Sequence, residues 1–176
     1  MKDKEFESII EIILKKEGYK SEDSKGGETI WGVSLKYHPE MKYLLNESWT
    51  ASKEKAKKFY YQHYYLPFSS LPFPLRLCVV DAAVQFWTND AVRILQTAIN
   101  ELLEEDALKV DGIFGEKTKL LTQGVYIAYR RRLILHYTIS RIRKYLESEL
   151  FPNYGKGWIE RTLDIMKKAL ESIKEE

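Results

Sequence analysis

Glu17-Gly18-Tyr19-Lys20-Ser21-Glu22-Asp23-Ser24-Lys25-Gly26-Gly27-Glu28-Thr29-Ile30-Trp31-Gly32-Val33 is the stretch around which the rest of the chain is organised. Upstream of it, Phe6, Ile9, Ile10, Ile13 and Leu14 recur at the three-and-four spacing of one helix face, so residues 4–16 are expected to be helical. Gly18 is a natural stop for that helix. Glu17 then sits at the carbonyl end, where the negative dipole disfavours a charged carboxylate. Residues 19–28 read as a polar loop holding three acids, Glu22, Asp23 and Glu28, and residues 29–33 as a short strand. The plain alternative is a solvated glutamate followed by a solvated loop.

The order Glu-Gly-Tyr, then Gly26-Gly27, Thr29 and Gly32-Val33, resembles the lysozyme-like proteins of glycoside hydrolase family 108, which include phage endolysins and bacterial secretion activators. One glycine is missing after Gly18. Ser24 stands where the family has its turn aspartate, and Asp23 lies one residue early. The resemblance implies a mainly α, lysozyme-like fold with a short β segment near 29–33 and a packed C-terminal helical region. It also implies a peptidoglycan hydrolase, an N-acetylmuramidase that cleaves between N-acetylmuramic acid and N-acetylglucosamine. Such chemistry uses an acid for the leaving oxygen and a second group for water or for positive charge. The implied catalytic residues are Glu17 as acid, Asp23 (with Glu28 as the alternative) as second carboxylate, and Thr29 as a water-holding hydroxyl. The implied glycan contacts are Tyr19, Gly26, Gly27, Glu28, Trp31 and Tyr60. The rival reading is a catalytically silent wall-binding or secretion-helper protein.

Outward from this stretch the chain alternates helices and breaks. Residues 35–49 read as irregular with one turn at 41–45, and a helix follows from Thr50, capped by Thr50 or Ser52. Tyr60-Tyr61 and Tyr64-Tyr65 precede a proline-punctuated loop at 66–74. A helix over 75–86 carries Asp81, which is expected to be buried and structural. Leu95-Gln96, Ala98-Ile99-Asn100 and Val110-Asp111-Gly112-Ile113-Phe114-Gly115-Glu116-Lys117-Thr118 resemble a peptidoglycan-binding module. A connector between helices that binds nothing gives the same pattern. Two regions are therefore expected, a lysozyme-like one at 1–87 and a binding-module-like one at 88–176, packed as one globular unit. Thr88 is read as the cap of the 88–102 helix, 122–149 as a long helix, 150–158 as a break and 159–174 as the last helix. Phe151, Gly157, Trp158 and Arg161 resemble the closing Phe-x-x-Gly-Trp-x-x-Arg motif of the same family.

Composition narrows the rest. A chain of 176 residues with 44% apolar residues can bury a core. Net charge is +2, which argues against a nucleic-acid partner, although Arg130-Arg131-Arg132 is a tight basic run. The single cysteine excludes an internal disulfide, and the three histidines lack metal-ligand spacing, so no metal or cofactor is expected. Met1-Lys2-Asp3-Lys4-Glu5 is mixed in charge and no uninterrupted apolar run follows, so no signal peptide is expected. No membrane span is expected either. The expected protein is a monomer made in the cytoplasm that acts on cell-wall peptidoglycan after holin- or export-dependent release.

Overall fold

The computed structural model describes residues 3–23 and 27–173, with backbone alone at Glu22 and Asp23. The fold is mainly α with one small antiparallel sheet, as the sequence suggests. It comprises two compact units, residues 1–66 and 67–176. No helix among the described residues is long and apolar enough to cross a membrane.

The first unit opens with α1 (Lys4–Glu17), whose predicted apolar stripe is buried from Phe6 to Leu14. Its N-terminus is capped by Asp3, whose carboxylate accepts the Glu5 and Phe6 amides and the Tyr65 hydroxyl. The expected polar loop is largely a hairpin: β1 (Lys20–Asp23) pairs antiparallel with β2 (Gly27–Ile30), which pairs with β3 (Val33–Ser34). β1 has no alternating apolar pattern, so its strand character comes from its partner and not from its own residues. The expected strand at 29–33 is two strands with a turn at Trp31-Gly32 between them.

A 3-10 segment over Pro39–Asn46 fills part of the stretch read as irregular. α2 (Trp49–Tyr60) is capped by Ser48, whose hydroxyl accepts the Ala51 amide, and not by Thr50 or Ser52. Lys57 on α2 reaches Glu7 and Glu11 on α1 at 2.8 Å each, and Lys53 reaches Glu11 at 3.0 Å. Burial opposes the Lys57 charge, but the Glu11 and Glu7 carboxylates overcome it and hold the ammonium more firmly than usual. α2 then widens into one π turn, Tyr61–Tyr65.

The described residues of the second unit include the α-helices α3 (Phe73–Phe86), α4 (Thr88–Leu103), α5 (Glu116–Leu146) and α6 (Phe151–Glu171). α3 is buried on every side from Leu75 to Ala83, as a central helix must be. Thr88 does not cap α4 with its side chain. α5 begins at Glu116 and is kinked at Tyr129 (φ −136°, ψ 33°). The expected break at 150–158 is mostly helix, because Pro152 sits in the first turn of α6 and Gly155 lies beneath the Phe151 ring.

Asp81 is fully buried, the structural role expected of it. It accepts hydrogen bonds from Arg141 Nη2 (2.6 Å) and from Arg161 Nη2 (2.8 Å) and Nε (3.0 Å), which ties α3 to α5 and α6. Gln85 also accepts from Arg141, at 2.7 Å. Beside this cluster Tyr145 stacks on Trp158 with ring centroids 5.2 Å apart. Burial alone would raise the Asp81 carboxyl, yet Arg161 and Arg141 outweigh it and hold it below the ordinary aspartate value.

The Gln96 side chain organises the segment between α4 and α5. It donates to Asp111 Oδ1 (2.9 Å) and accepts the Gly112 amide (2.9 Å), while Asn100 exchanges two hydrogen bonds with the Leu108 backbone. These polar residues of the module-like motif are thus engaged within the fold.

Asp81→Asn leaves the buried Arg141 guanidinium without its charge partner and should destabilise the protein by about 3–5 kcal/mol in urea unfolding. The folded carboxyl titrates below the unfolded one. Its contribution is therefore complete above the unfolded value of about 3.9 and is lost as pH falls through the lower folded value. The variant should lack that part of the acid-side decline. An unchanged unfolding midpoint would show that the ion cluster does not hold the second unit together.

Candidate functional site

Glu17 ends α1 and is half-buried. Gly18 follows at φ 74°, its amide donating to Leu14 O at 3.1 Å, so the chain leaves the helix through a conformation that favours glycine. A Cβ built on Gly18 would meet nothing within 4 Å, so there is open space beside this helix end.

The turn between β2 and β3 faces Glu17. Trp31 (φ 54°) and Gly32 (φ 78°) both lie at positive φ, as a two-residue type I′ hairpin turn requires. For a side chain as large as tryptophan this conformation is rare and costs roughly 1–2 kcal/mol. Three hydrogen bonds and two ring contacts hold Trp31 there. Its amide donates to Tyr19 O (2.7 Å), and its carbonyl accepts the Tyr60 hydroxyl (2.9 Å). Its indole N–H donates to Ser52 Oγ (3.0 Å), and its ring, 5% exposed, packs against Tyr19 and Trp49.

Gly32 is where the turn meets the helix. A Cβ at this position would lie 2.6 Å from Glu17 Cγ and 2.6 Å from the Tyr60 hydroxyl. No side chain fits, so the glutamate packs directly on glycine backbone with Tyr60 beside it. Tyr64 stacks at a tilt on Tyr60, 5.6 Å between centroids. Burial, and then the charge of Glu17, push the Tyr64 phenol up to about 12. The π turn brings Tyr64 into this wall and sends Tyr65 to Asp3.

The remaining candidates lie around this centre. Thr29 stands directly opposite Ser21 across the hairpin, their hydroxyl oxygens 2.7 Å apart. Asp23 pairs in register with Gly27. Gly26 lies outside the described residues. Glu28 is exposed, and its carbonyl accepts the Leu35 amide at 3.0 Å. The Tyr19 ring is half-buried, whereas the rings of Trp31 and Tyr60 are enclosed and offer no open face for stacking. Trp49, not singled out in the sequence, is 54% exposed and stands against Trp31 at 5.2 Å. Ser52, read only as a possible helix cap, is the buried acceptor for Trp31. Among the described residues, no group of three His, Cys, Asp or Glu side chains is placed to hold a metal ion.

With this geometry in hand, comparison with known proteins places the first part of the chain. Residues 10–86 match the family described as Glycosyl hydrolase 108. Among solved structures, the chain is similar to that of Brucella abortus SagA, with 21% identity and a TM-score of 0.77 over 97% of this chain and 96% of that one. At that identity the likeness is one of fold. No curated protein matches the chain in sequence.

Gly32→Ala requires a methyl group at positive φ and pushes on the Glu17 side chain. It should destabilise the protein by about 1–2 kcal/mol from backbone strain alone, read as a lower thermal midpoint. Tyr60→Phe removes the hydroxyl that Trp31 O accepts and should cost about 1–3 kcal/mol by the same measurement. Wild-type midpoints in both variants would show that the turn is not clamped as described.

Proposed function

We propose that this protein is a peptidoglycan hydrolase of the N-acetylmuramidase type, with Glu17 as its acid. The observation that carries the reading is Glu17 itself, held against Gly32 and the Tyr60–Tyr64 wall within the stretch that matches the Glycosyl hydrolase 108 family. In this reading Glu17 passes its proton to the glycosidic oxygen as the bond to the anomeric carbon breaks. The departing sugar leaves as an alcohol, and water adds to the positively charged ring carbon.

Asp23, with Glu28 as the alternative, is the group proposed to take the proton from water. Thr29, which stands opposite Ser21 across the hairpin, is proposed to orient that water. Tyr19 and Glu28 serve as glycan contacts, and Trp31 and Tyr60 act behind the surface by holding the turn. Because the substrate is the wall, the working enzyme meets it after release across the membrane.

Mass spectrometry of soluble fragments from purified peptidoglycan tests the reading. Products should end in reducing N-acetylmuramic acid. Glu17→Gln should lower the rate by about 10²–10⁴-fold. Fragments ending in N-acetylglucosamine or in an anhydro sugar, or full activity in the variant, would overturn it.

A further inference from the structure

Trp49 begins α2 and is 54% exposed, although its neighbours Trp31 and Ser52 are buried. Its place is nevertheless fixed. The Ser52 hydroxyl donates to Trp49 O (3.0 Å) and accepts the Trp31 indole N–H (3.0 Å), so one hydroxyl joins the two tryptophans. The rings of Trp31 and Trp49 meet edge to face at 69°, with centroids 5.2 Å apart. The Lys53 ammonium lies 5.7 Å from the Trp49 ring centre and 5.8 Å from that of Trp31, and Glu11 on α1 holds it at 3.0 Å. An indole is thus kept in one setting with most of its surface in water.

Packing does not account for that. Burial rewards an aromatic ring in proportion to the area removed from water, and more than half of this one stays wet. Cover for Trp31 needs only an apolar side chain. A flat ring that is held and open is instead what stacking on a ligand requires, because little side-chain freedom is left to lose on binding.

The position of the ring selects the ligand. Tyr19, Trp31 and Trp49 form a row with centroids 5.1 and 5.2 Å apart, and the row starts two residues after Glu17. Its middle member precedes Gly32, on which Glu17 packs. The exposed ring therefore stands two ring contacts along from the residue that follows the Glu17-Gly18 helix end. A pyranose offers a flat C–H face to such a ring, with its hydroxyls around the rim. A glycan strand is linear, so the sugars on either side of a cleaved bond must lie along the surface beside the acid. We propose that Trp49 is a stacking platform for an N-acetylated sugar of the glycan strand that flanks the cleaved bond, an assignment that rests on the reading of Glu17 as the acid of a peptidoglycan hydrolase.

Co-sedimentation of the Glu17→Gln protein with purified insoluble peptidoglycan measures binding apart from cleavage. Adding Trp49→Leu, which keeps apolar cover over Trp31 but has no flat ring, should weaken binding by roughly three- to tenfold. Adding Trp49→Phe instead should keep most of the binding, and both should melt at the temperature of the Glu17→Gln parent. With Glu17 in place, Trp49→Leu should raise KM for soluble glycan strands and leave kcat nearly as it was. Equal binding by the Leu variant, a Phe variant as weak as the Leu variant, a lowered melting temperature that accompanies the loss, or a wild-type dimer that Trp49→Leu splits would each overturn the platform. If the wild type cleaves no peptidoglycan and binding still depends on a ring at position 49, the stacking role stands and the hydrolase reading fails.

Discussion

The direct packing of Glu17 on the backbone of Gly32 is the constraint on which the first unit depends. A β-carbon at position 32 would overlap both the glutamate and the Tyr60 hydroxyl. The turn must therefore place a glycine there, and it does so by holding Trp31 in a conformation that tryptophan rarely adopts. The strain is balanced by hydrogen bonds with three residues of the unit: Tyr19 beyond the helix end, and Ser52 and Tyr60 on α2. The buried tyrosines and the indole are thus the scaffold for one carboxylate. In the proposed chemistry they supply its position, and the hairpin supplies the groups opposite.

Helices with a repeating apolar face were legible in the sequence. The stripe of α1 follows from Phe6 to Leu14, and all five of those residues are buried. The hairpin was not legible, because Lys20-Ser21-Glu22-Asp23 carries no alternating pattern and pairs only through its partner strand. Trp31-Gly32 has a glycine where a type I′ turn needs one, but tryptophan is not a turn residue. Its placement depends on Ser52 and Tyr60, twenty or more positions away in the chain. At the other end, Pro152 and Gly155 read as a break yet serve a helix start and a close ring contact. Local signals were overruled there by packing.

In the second unit, motif residues prove to be mutual partners. Asp81 and Arg161, eighty positions apart, meet in a buried ion cluster with Arg141. Gln96 and Asp111 meet in the segment between α4 and α5. These residues account for the architecture of the unit without a ligand.

A crystal structure of the Glu17→Gln variant with a bound peptidoglycan oligosaccharide tests the central claim most directly. The account predicts a glycosidic oxygen within about 2.6–3.2 Å of the residue-17 carboxamide, with the Trp31-Gly32 turn unmoved beneath it. An oligosaccharide bound away from residue 17, or a turn that has opened and released that side chain, would contradict it.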